Sequence, residues 1–136
     1  MKADRPAAGI LDTSVFIANE SGRQLEATLI PEEVATTVVT LAELNAGVLA
    51  AKTSEIRARR LRTLDAVADM TALPVDEDAA QLWALLRVHL AEAGRRVRVN
   101  DLWIAAIAAA KQLPVVTQNE DFDALEGVAG LAIVRV

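Results

Sequence analysis

Short apolar runs that end in a polar residue recur along this chain, and each is followed by a segment with the periodicity of a helix. The clearest runs are Gly9 to Leu11 before Asp12, Glu33 to Val39 before Thr40, and Pro114 to Val116 before Thr117. Strands that alternate with helices favour a parallel sheet covered by helices on both faces. The sequence therefore predicts an α/β fold with a central parallel sheet.

Helices are predicted where apolar residues recur every three or four positions and where capping residues mark the ends. They are expected at about residues 13–19, 40–51, 54–70, 77–94 and 101–111, with further short strands at 72–75 and 131–134. Asp76 is expected to cap the fourth helix, which ends at Gly94. The last helix is apolar nearly all round, as in a helix packed in the interior. The apolar side of the third helix is predicted to consist of Ile56, Leu61, Leu64 and Ala68.

The 136 residues suffice for one domain with one core. Residues 1–8 show no periodicity and are expected to form a flexible lead, so the folded domain is predicted to span residues 9–136. The longest apolar run, Leu102 to Ala110, has nine residues, whereas a membrane span needs about twenty. The N-terminus also lacks the apolar stretch of a secretory signal. We therefore expect a cytoplasmic protein with no membrane segment.

Composition argues against several classes of function. The chain contains no cysteine, which removes disulfides, thiolate metal sites and cysteine nucleophiles. Its 14 Lys and Arg against 19 Asp and Glu give a net charge of −5, which argues against a broad basic surface for nucleic acid. The single histidine, His89, has no second His or Cys near it in sequence, and Ser14 lies in no glycine elbow. A serine hydrolase is therefore not expected.

Acidic residues lie near the starts of predicted helices, just after apolar strands. Asp12 follows the first strand, Glu43 lies in the helix after the second, and Asp101 opens the interior helix. Asp121 follows the strand that ends at Thr117. Because strands of an open α/β sheet direct their carboxyl ends to one crevice, these acids are expected to converge there and to need a cation. Carboxylates with water suit Mg²⁺ or Mn²⁺, which predicts phosphodiester hydrolysis by a metal-activated water.

Each acid also has a purely structural explanation. Thr40 and Glu43 have the spacing of a capping box, in which the Glu side chain bonds back to the cap residue. Asp12 could be an N-cap, and Asp101 would be favoured by the helix dipole. Asp121 could be a turn residue. Capping alone does not explain why several acids follow strands.

Three arginines lead directly into the segment Asn100-Asp101: Arg95, Arg96 and Arg98. Guanidinium groups suit phosphate, so we expect these three at the rim of the metal site, in contact with substrate phosphates. A second cluster, between residues 57 and 62, spreads around its predicted helix and is expected to be solvated. An acidic pocket with a basic rim is what a nuclease of negative net charge would need.

These segments resemble the PIN-domain family, and within it the VapC-type toxins of bacterial toxin–antitoxin pairs. The resemblance spans nearly the whole chain from Gly9 onward, in the family's order and spacing. It is carried by Leu11-Asp12-Thr13-Ser14-Val15-Phe16-Ile17, Thr40-Leu41-Ala42-Glu43-Leu44 with Gly47, Asn100-Asp101-Leu102-Trp103-Ile104-Ala105-Ala106 and Val116-Thr117-Gln118-Asn119-Glu120-Asp121-Phe122.

The resemblance implies a three-layer α/β/α domain with a central parallel sheet and Mg²⁺-dependent or Mn²⁺-dependent cleavage of RNA. Asp12 and Asp101 match the family's principal metal-binding acids, and Glu43 matches its second acid. The fourth acidic position falls on either Asn119 or Asp121. By the same resemblance, the hydroxyl groups that would support the site belong to Thr13, Ser14 and Thr117.

VapC-type proteins are similar in being held inactive by a cognate antitoxin across the active-site groove, and they commonly pair as homodimers. The resemblance implies both partners here, with the groove between the helices at 40–51 and 54–70. The side chains expected to dock the antitoxin are Leu44, Val48, Leu49 and Leu61. Two other functions stay open: a PIN-like module that only binds antitoxin or RNA, and phosphoryl transfer through an aspartyl intermediate at Asp12. The second is disfavoured because Ser14 stands where such enzymes usually place another acid.

Overall fold

Five short strands form one parallel sheet in the order β3-β2-β1-β4-β5 in the computed structural model, which describes residues 5–136. The strands are β1 (Ala8–Leu11), β2 (Glu33–Thr37), β3 (Ala72–Leu73), β4 (Val115–Thr117) and β5 (Ile133–Arg135). The α-helices are α1 (Thr13–Glu20), α2 (Val38–Leu49), α3 (Ser54–Val67), α4 (Glu77–Glu92) and α5 (Val99–Lys111). The predicted α/β fold with a central parallel sheet is confirmed.

The two central strands, β1 and β4, are buried on both faces. Ile10 and Val115 pack into a core with residues of α4 and α5, whereas their neighbours Leu11 and Val116 pack with Val15 of α1 on the other side. Successive side chains of a strand point to opposite faces, so alternate apolar residues supply two separate cores. The result is three layers, with β1 in the middle of the sheet.

The boundary between β2 and α2 differs from the predicted one. The helix begins at Val38, because the Thr37 side chain accepts a hydrogen bond from the Thr40 N–H at 3.1 Å and acts as the N-cap. The strand therefore ends at Thr37 and not at Val39. Thr40 lies inside the first turn and is fully buried.

The third helix is shorter and more exposed than predicted. It ends at Val67, which is its one buried residue. Leu61 is 41% exposed, and Ala68 lies beyond the helix and is also exposed. The prediction that Ala68 belongs to the apolar side of the helix was wrong, because Ala68 is the C-cap residue, whereas the exposure of Leu61 agrees with its prediction as a docking residue. The capping prediction at Asp76 is confirmed by its 2.9 Å bond from the Ala79 N–H.

The predicted lead of residues 1–8 falls partly outside the described residues, since the description begins at Arg5. Ala8 already belongs to β1, one residue before the predicted start of the fold, and Arg5 forms an exposed ion pair with Glu32. Across residues 5–136, no helix is both long and apolar enough to cross a membrane.

Candidate active site

Three of the predicted acids, Asp12, Glu43 and Asp101, line one cavity of about 340 Å³ at the carboxyl end of the central strands. They come from three different elements: the residue after β1, the middle of α2 and the first turn of α5. Asn119, after β4, completes the wall. Asp121 is exposed and stands at the edge, outside the lining of the cavity.

Asp12 is held by the strand and by a chain of hydroxyl groups. Its backbone N–H donates to the Val116 carbonyl at 3.1 Å, and its side chain is 1% exposed. The Ser14 hydroxyl donates to Asp12 Oδ1 at 2.7 Å and lies 3.2 Å from the Thr117 hydroxyl. The Thr117 hydroxyl, like that of Ser14, lowers the pKa of Asp12 as a hydrogen-bond donor, so both hydroxyl groups orient this carboxylate. Asp12 occupies the N-cap position of α1, as its structural explanation required, but its side chain makes no capping hydrogen bond there.

Glu43 is held by a matching chain of two threonines. The Thr13 hydroxyl donates to Glu43 Oε1 at 2.6 Å and lies 3.1 Å from the hydroxyl of the buried Thr40. Both contacts present the Thr13 hydroxyl as the donor, and its one proton goes to Glu43 across the shorter of the two. The capping-box explanation of Glu43 is therefore wrong. Thr40 is a supporting residue that the sequence did not reveal, because Thr37 and Thr40 are equally suitable as the capping residue of α2.

Asp101 is fixed by Asn119, whose side-chain amide donates to Asp101 Oδ2 at 3.1 Å. The carbonyl oxygen of the same side chain accepts from the Asp121 N–H at 3.0 Å and so caps the 3-10 helix Glu120–Leu125. The amide of Asn119 thus uses both of its ends within the protein. Of the two residues expected for the fourth acidic position, Asn119 orients Asp101, and Asp121 contributes charge from outside the cavity.

The cavity disfavours ionised acids. Burial, more than any other cause, raises the pKa of Asp12 to about 6, and the charge of Asp101 adds to the rise while the Ser14 hydroxyl opposes it. Burial also raises the pKa of Asp101 to about 6, followed by the negative charges of Glu43 and Asp121. Both carboxyl groups therefore titrate close to neutral pH in the metal-free protein.

These donors fit a hard divalent cation. Among the described residues, neither buried carboxylate forms an ion pair, so one positive ion would relieve both. Within the described part of the chain, no three acidic or histidine side chains form a ready-made metal cage. Mg²⁺ does not need one, because it keeps several waters and is usually held by one or two carboxylates together with substrate phosphate.

The three predicted arginines are divided between two cavities. Arg98 lines the carboxylate cavity, and its charge partly offsets the rise in the pKa of Asp101. Arg95 and Arg96 line a neighbouring cavity of about 560 Å³. The expectation of a single basic rim is therefore met by Arg98 alone.

Known proteins share this fold and these segments. The PIN-domain family model matches residues 9–128. Ribonuclease VapC5 of Mycobacterium tuberculosis is 70% identical over 131 residues, which cover 96% of this chain and 97% of that protein. Ribonuclease VapC4 of the same organism is 40% identical, over 91% of this chain and 95% of that protein. The crystal structure of VapBC-5, a member of the VapBC family of toxin–antitoxin systems from M. tuberculosis, matches with a TM-score of 0.91 and 67% identity, over 96% of this chain and 100% of that one.

The chain therefore belongs to the PIN-domain family, and within it to the VapC-type ribonucleases. This family of nucleases is generally metal-dependent, in agreement with the donor set described above.

Proposed function

We propose that this chain is a toxin-type endoribonuclease that cleaves RNA with Mg²⁺, for which Mn²⁺ can substitute. The observation that carries the proposal is the pair of buried carboxylates, Asp12 and Asp101, which share one cavity with Glu43 and have pKa values raised to about 6. A cation would offset both the burial of these two charges and their mutual repulsion. The relatives named as ribonucleases support RNA as the substrate.

In this proposal Asp12 and Asp101 hold the ion. When bound, Mg²⁺ supplies an activated water and offsets charge on the transferring phosphoryl group. Glu43 orients the attacking water and accepts its proton through Oε2, because Oε1 is taken by Thr13. The expected products carry 5′-phosphate and 3′-hydroxyl ends.

The remaining residues of the site have supporting roles. Asn119 keeps the Asp101 carboxylate in place, and Asp121 adds negative charge beside it without reaching the cavity. Arg98 would contact a substrate phosphate, since it lines the same cavity as the acids and its charge acts on Asp101. Ser14 and Thr117 orient Asp12 as described above.

The test is cleavage of RNA by the purified chain, freed of any partner, in Mg²⁺, in Mn²⁺ and in a chelator. Asp12→Asn and Asp101→Asn should abolish cleavage, and the exposed pair Asp65→Asn and Asp69→Asn serves as control. The cleavage products should carry 5′-phosphate and 3′-hydroxyl ends. Unimpaired cleavage by the two cavity variants would exclude this mechanism. Absence of cleavage, together with no Mg²⁺ binding in calorimetry, would favour the binding-module alternative.

The partner proposed for this toxin is an antitoxin segment on the surface between α2 and α3. A cavity of about 270 Å³ lies there and shares Thr13, Ile17 and Glu43 with the carboxylate cavity, so its occupant would also obstruct the active site. Of the four predicted docking residues, Leu44 and Val48 are buried, whereas Leu49 and Leu61 are 81% and 41% exposed. The likeness to a VapBC toxin–antitoxin structure supports this partner.

A homodimer is the other proposed assembly. Exposed apolar side chains on α4, Leu85 and Val88, offer a surface that pairing would cover. Light scattering of the purified chain would measure its mass in solution.

A further inference from the structure

The second cavity adjoins the carboxylate cavity and has a different character. Trp83 and Arg87 of α4 form one wall, and Arg95 and Arg96, from the link before α5, form another. Val99 lines both cavities, so the two are separated by little more than one side chain. The volume of about 560 Å³ is within the range of small-ligand sites and exceeds that of the carboxylate cavity.

Three positive charges face this cavity without compensation. Arg87, Arg95 and Arg96 are exposed, and between Arg5 and Val136 no acidic side chain forms an ion pair with any of them. This is unexpected in a chain of net charge −5, where acidic partners outnumber cations. Unpaired guanidinium groups are suited to bind phosphate oxygens.

The apolar part of the wall is suited to a base. Trp83 is half-buried and stacks on Trp103 with ring centroids 5.0 Å apart, which makes a rigid support, and Leu90 and Leu102 extend the apolar surface. Proteins bind single-stranded RNA by combining basic side chains for the backbone with apolar and aromatic surfaces for the bases.

The path by which RNA leaves the carboxylate cavity also favours the second cavity as an RNA-binding site. The RNA of an endonuclease continues beyond the scissile phosphate on both sides, so it must leave the carboxylate cavity through its neighbours. The cavity towards α2 and α3 is lined by Glu20 and Glu43 with one cation, Arg60, whose guanidinium donates to the Gly47 carbonyl. The cavity beyond Val99 has three free guanidinium groups and no acid in its lining. RNA phosphates would therefore meet less electrostatic repulsion in the cavity beyond Val99 than in the cavity towards α2 and α3.

We propose that the cavity lined by Trp83, Arg87, Arg95 and Arg96 binds the single-stranded RNA that flanks the scissile phosphate. This inference rests on the proposed ribonuclease function and adds a substrate-binding subsite to it. The three arginines contact backbone phosphates, and the apolar wall at Trp83 packs against a base. None of these residues touches the reacting atoms, so the subsite acts on substrate affinity.

The test uses the full chain with Arg87→Gln, Arg95→Gln and Arg96→Gln combined. The matched control is Arg57→Gln, Arg59→Gln and Arg62→Gln, which removes the same charge from exposed positions of α3. Both triple variants are made in an Asp101→Asn background, and binding of a fluorescein-labelled oligouridylate is followed by anisotropy over a range of salt concentrations. Cavity substitutions should weaken binding about tenfold or more and reduce the slope of log affinity against log salt by roughly 2, as expected for three phosphate contacts on a single strand. The control substitutions should change neither the affinity nor the salt slope by a comparable amount.

A cleavage assay on the active protein separates this inference from the proposed function. With a long RNA, the cavity variant should raise KM several-fold and leave kcat nearly unchanged, because the lost contacts bind the flank and not the transition state. No cleavage by the unaltered protein would count against the proposed function, while anisotropy would still decide the fate of the subsite.

Four results would overturn the subsite. The first is equal RNA affinity in the cavity variant and its parent, and the second is an equal loss in the α3 control. The third is a change in molar mass by light scattering, which would make the cavity an interface between copies. The fourth is tight, arginine-dependent binding of polyglutamate in preference to the oligouridylate, which would indicate an acidic protein segment as the occupant.

Discussion

Thr13 donates its hydroxyl proton to Glu43 across a 2.6 Å hydrogen bond, and the next residue, Ser14, does the same for Asp12 at 2.7 Å. Two consecutive residues in the first turn of α1 therefore orient two carboxylates that arrive from different elements. Each hydroxyl also contacts a buried threonine: Thr13 lies 3.1 Å from the Thr40 hydroxyl, and Ser14 lies 3.2 Å from that of Thr117. Asp12 and Glu43 are thus positioned by hydroxyl groups, with no cationic side chain among those hydrogen bonds.

Removal of the Thr13 hydroxyl should impair catalysis more than folding. In Thr13→Val the Glu43 carboxylate loses its only side-chain donor among the described residues, so kcat should fall roughly 10-fold to 100-fold, as is typical for loss of an orienting partner. The matched control is Thr63→Val, which removes a Thr–Glu bond of 2.8 Å to Glu20 outside the carboxylate cavity. Steady-state RNA cleavage and thermal melting compare the two variants. Similar kcat values for both would contradict the orienting role.

Stability of the metal-free protein should decline as the pH rises through about 6. The pKa values of Asp12 and Asp101 are raised from 3.8 to about 6 on folding, so their stabilising contribution is complete below the unfolded value and disappears above the folded one. The loss for each group is on the order of 2 kcal/mol. Denaturant unfolding of the protein and of Asp12→Asn at several pH values should show the variant gaining relative stability towards neutral pH. A difference that is independent of pH would contradict the burial of an ionisable group there.

Mg²⁺ should stabilise the protein at neutral pH. Binding to the folded state alone raises the free energy of unfolding with ion concentration, by about 2.7 kcal/mol at one hundred times the dissociation constant. The melting temperature should rise with Mg²⁺ for the unaltered chain and stay constant for the double variant Asp12→Asn, Asp101→Asn. An exposed double variant, Asp65→Asn, Asp69→Asn, should respond like the unaltered chain. A rise in the melting temperature of the Asp12→Asn, Asp101→Asn variant with Mg²⁺ would show that the ion binds elsewhere.

Asp121 should affect the pH dependence of cleavage and contribute little else. Its negative charge helps to raise the pKa of Asp101, after burial and the charge of Glu43, so Asp121→Asn should lower that pKa. The acidic limb of the cleavage profile should move to lower pH by about a few tenths of a unit. Glu120→Gln, which neutralises the exposed neighbour, is the control. A loss as complete as that of Asp101→Asn would instead make Asp121 a catalytic residue, as the sequence alone suggested.

The surface between α2 and α3 should control inhibition independently of catalysis. Leu49 is 81% exposed and lies away from the acids, so Leu49→Asp should weaken antitoxin binding strongly while RNA cleavage by the free protein stays normal. Val75→Asp places the same charge on an exposed apolar residue outside both proposed surfaces and should retain antitoxin binding. RNA cleavage measured at increasing antitoxin concentrations gives the inhibition of both variants. Unchanged inhibition of Leu49→Asp would remove this residue from the docking surface.

The sequence predicted the architecture because its signals are local and repeated. Apolar strands alternate with helices, and Asp76 and Gly94 mark the ends of α4 as capping rules require. The convergence of Asp12 and Glu43 follows from the direction of parallel strands, because they lie after β1 and in the helix after β2. Asp101 lies in α5, which follows α4 directly, so the packing of that helix brings it to the same cavity.

What the sequence could not specify depends on contacts between distant segments. Thr37 and Thr40 have similar capping potential, and only the three-dimensional structure shows that Thr37 caps α2 while Thr40 supports Thr13. The orientation of the Asn119 amide is set by Asp101, a residue 18 positions away. Periodicity likewise identified an apolar side of α3, but it contains no information on which element would cover Leu61.

The position of β1 at the centre of the sheet has a consequence for biosynthesis. Its two neighbours are β2, which is translated soon afterwards, and β4, which is translated only after α5. A nascent polypeptide that has emerged as far as Arg98 lacks Asp101, Thr117 and Asn119, and one edge of β1 is still unpaired. The ribosome is therefore not exposed to an active nuclease while the product ends at Arg98, since residues 99–119 must be made before the catalytic cavity can close.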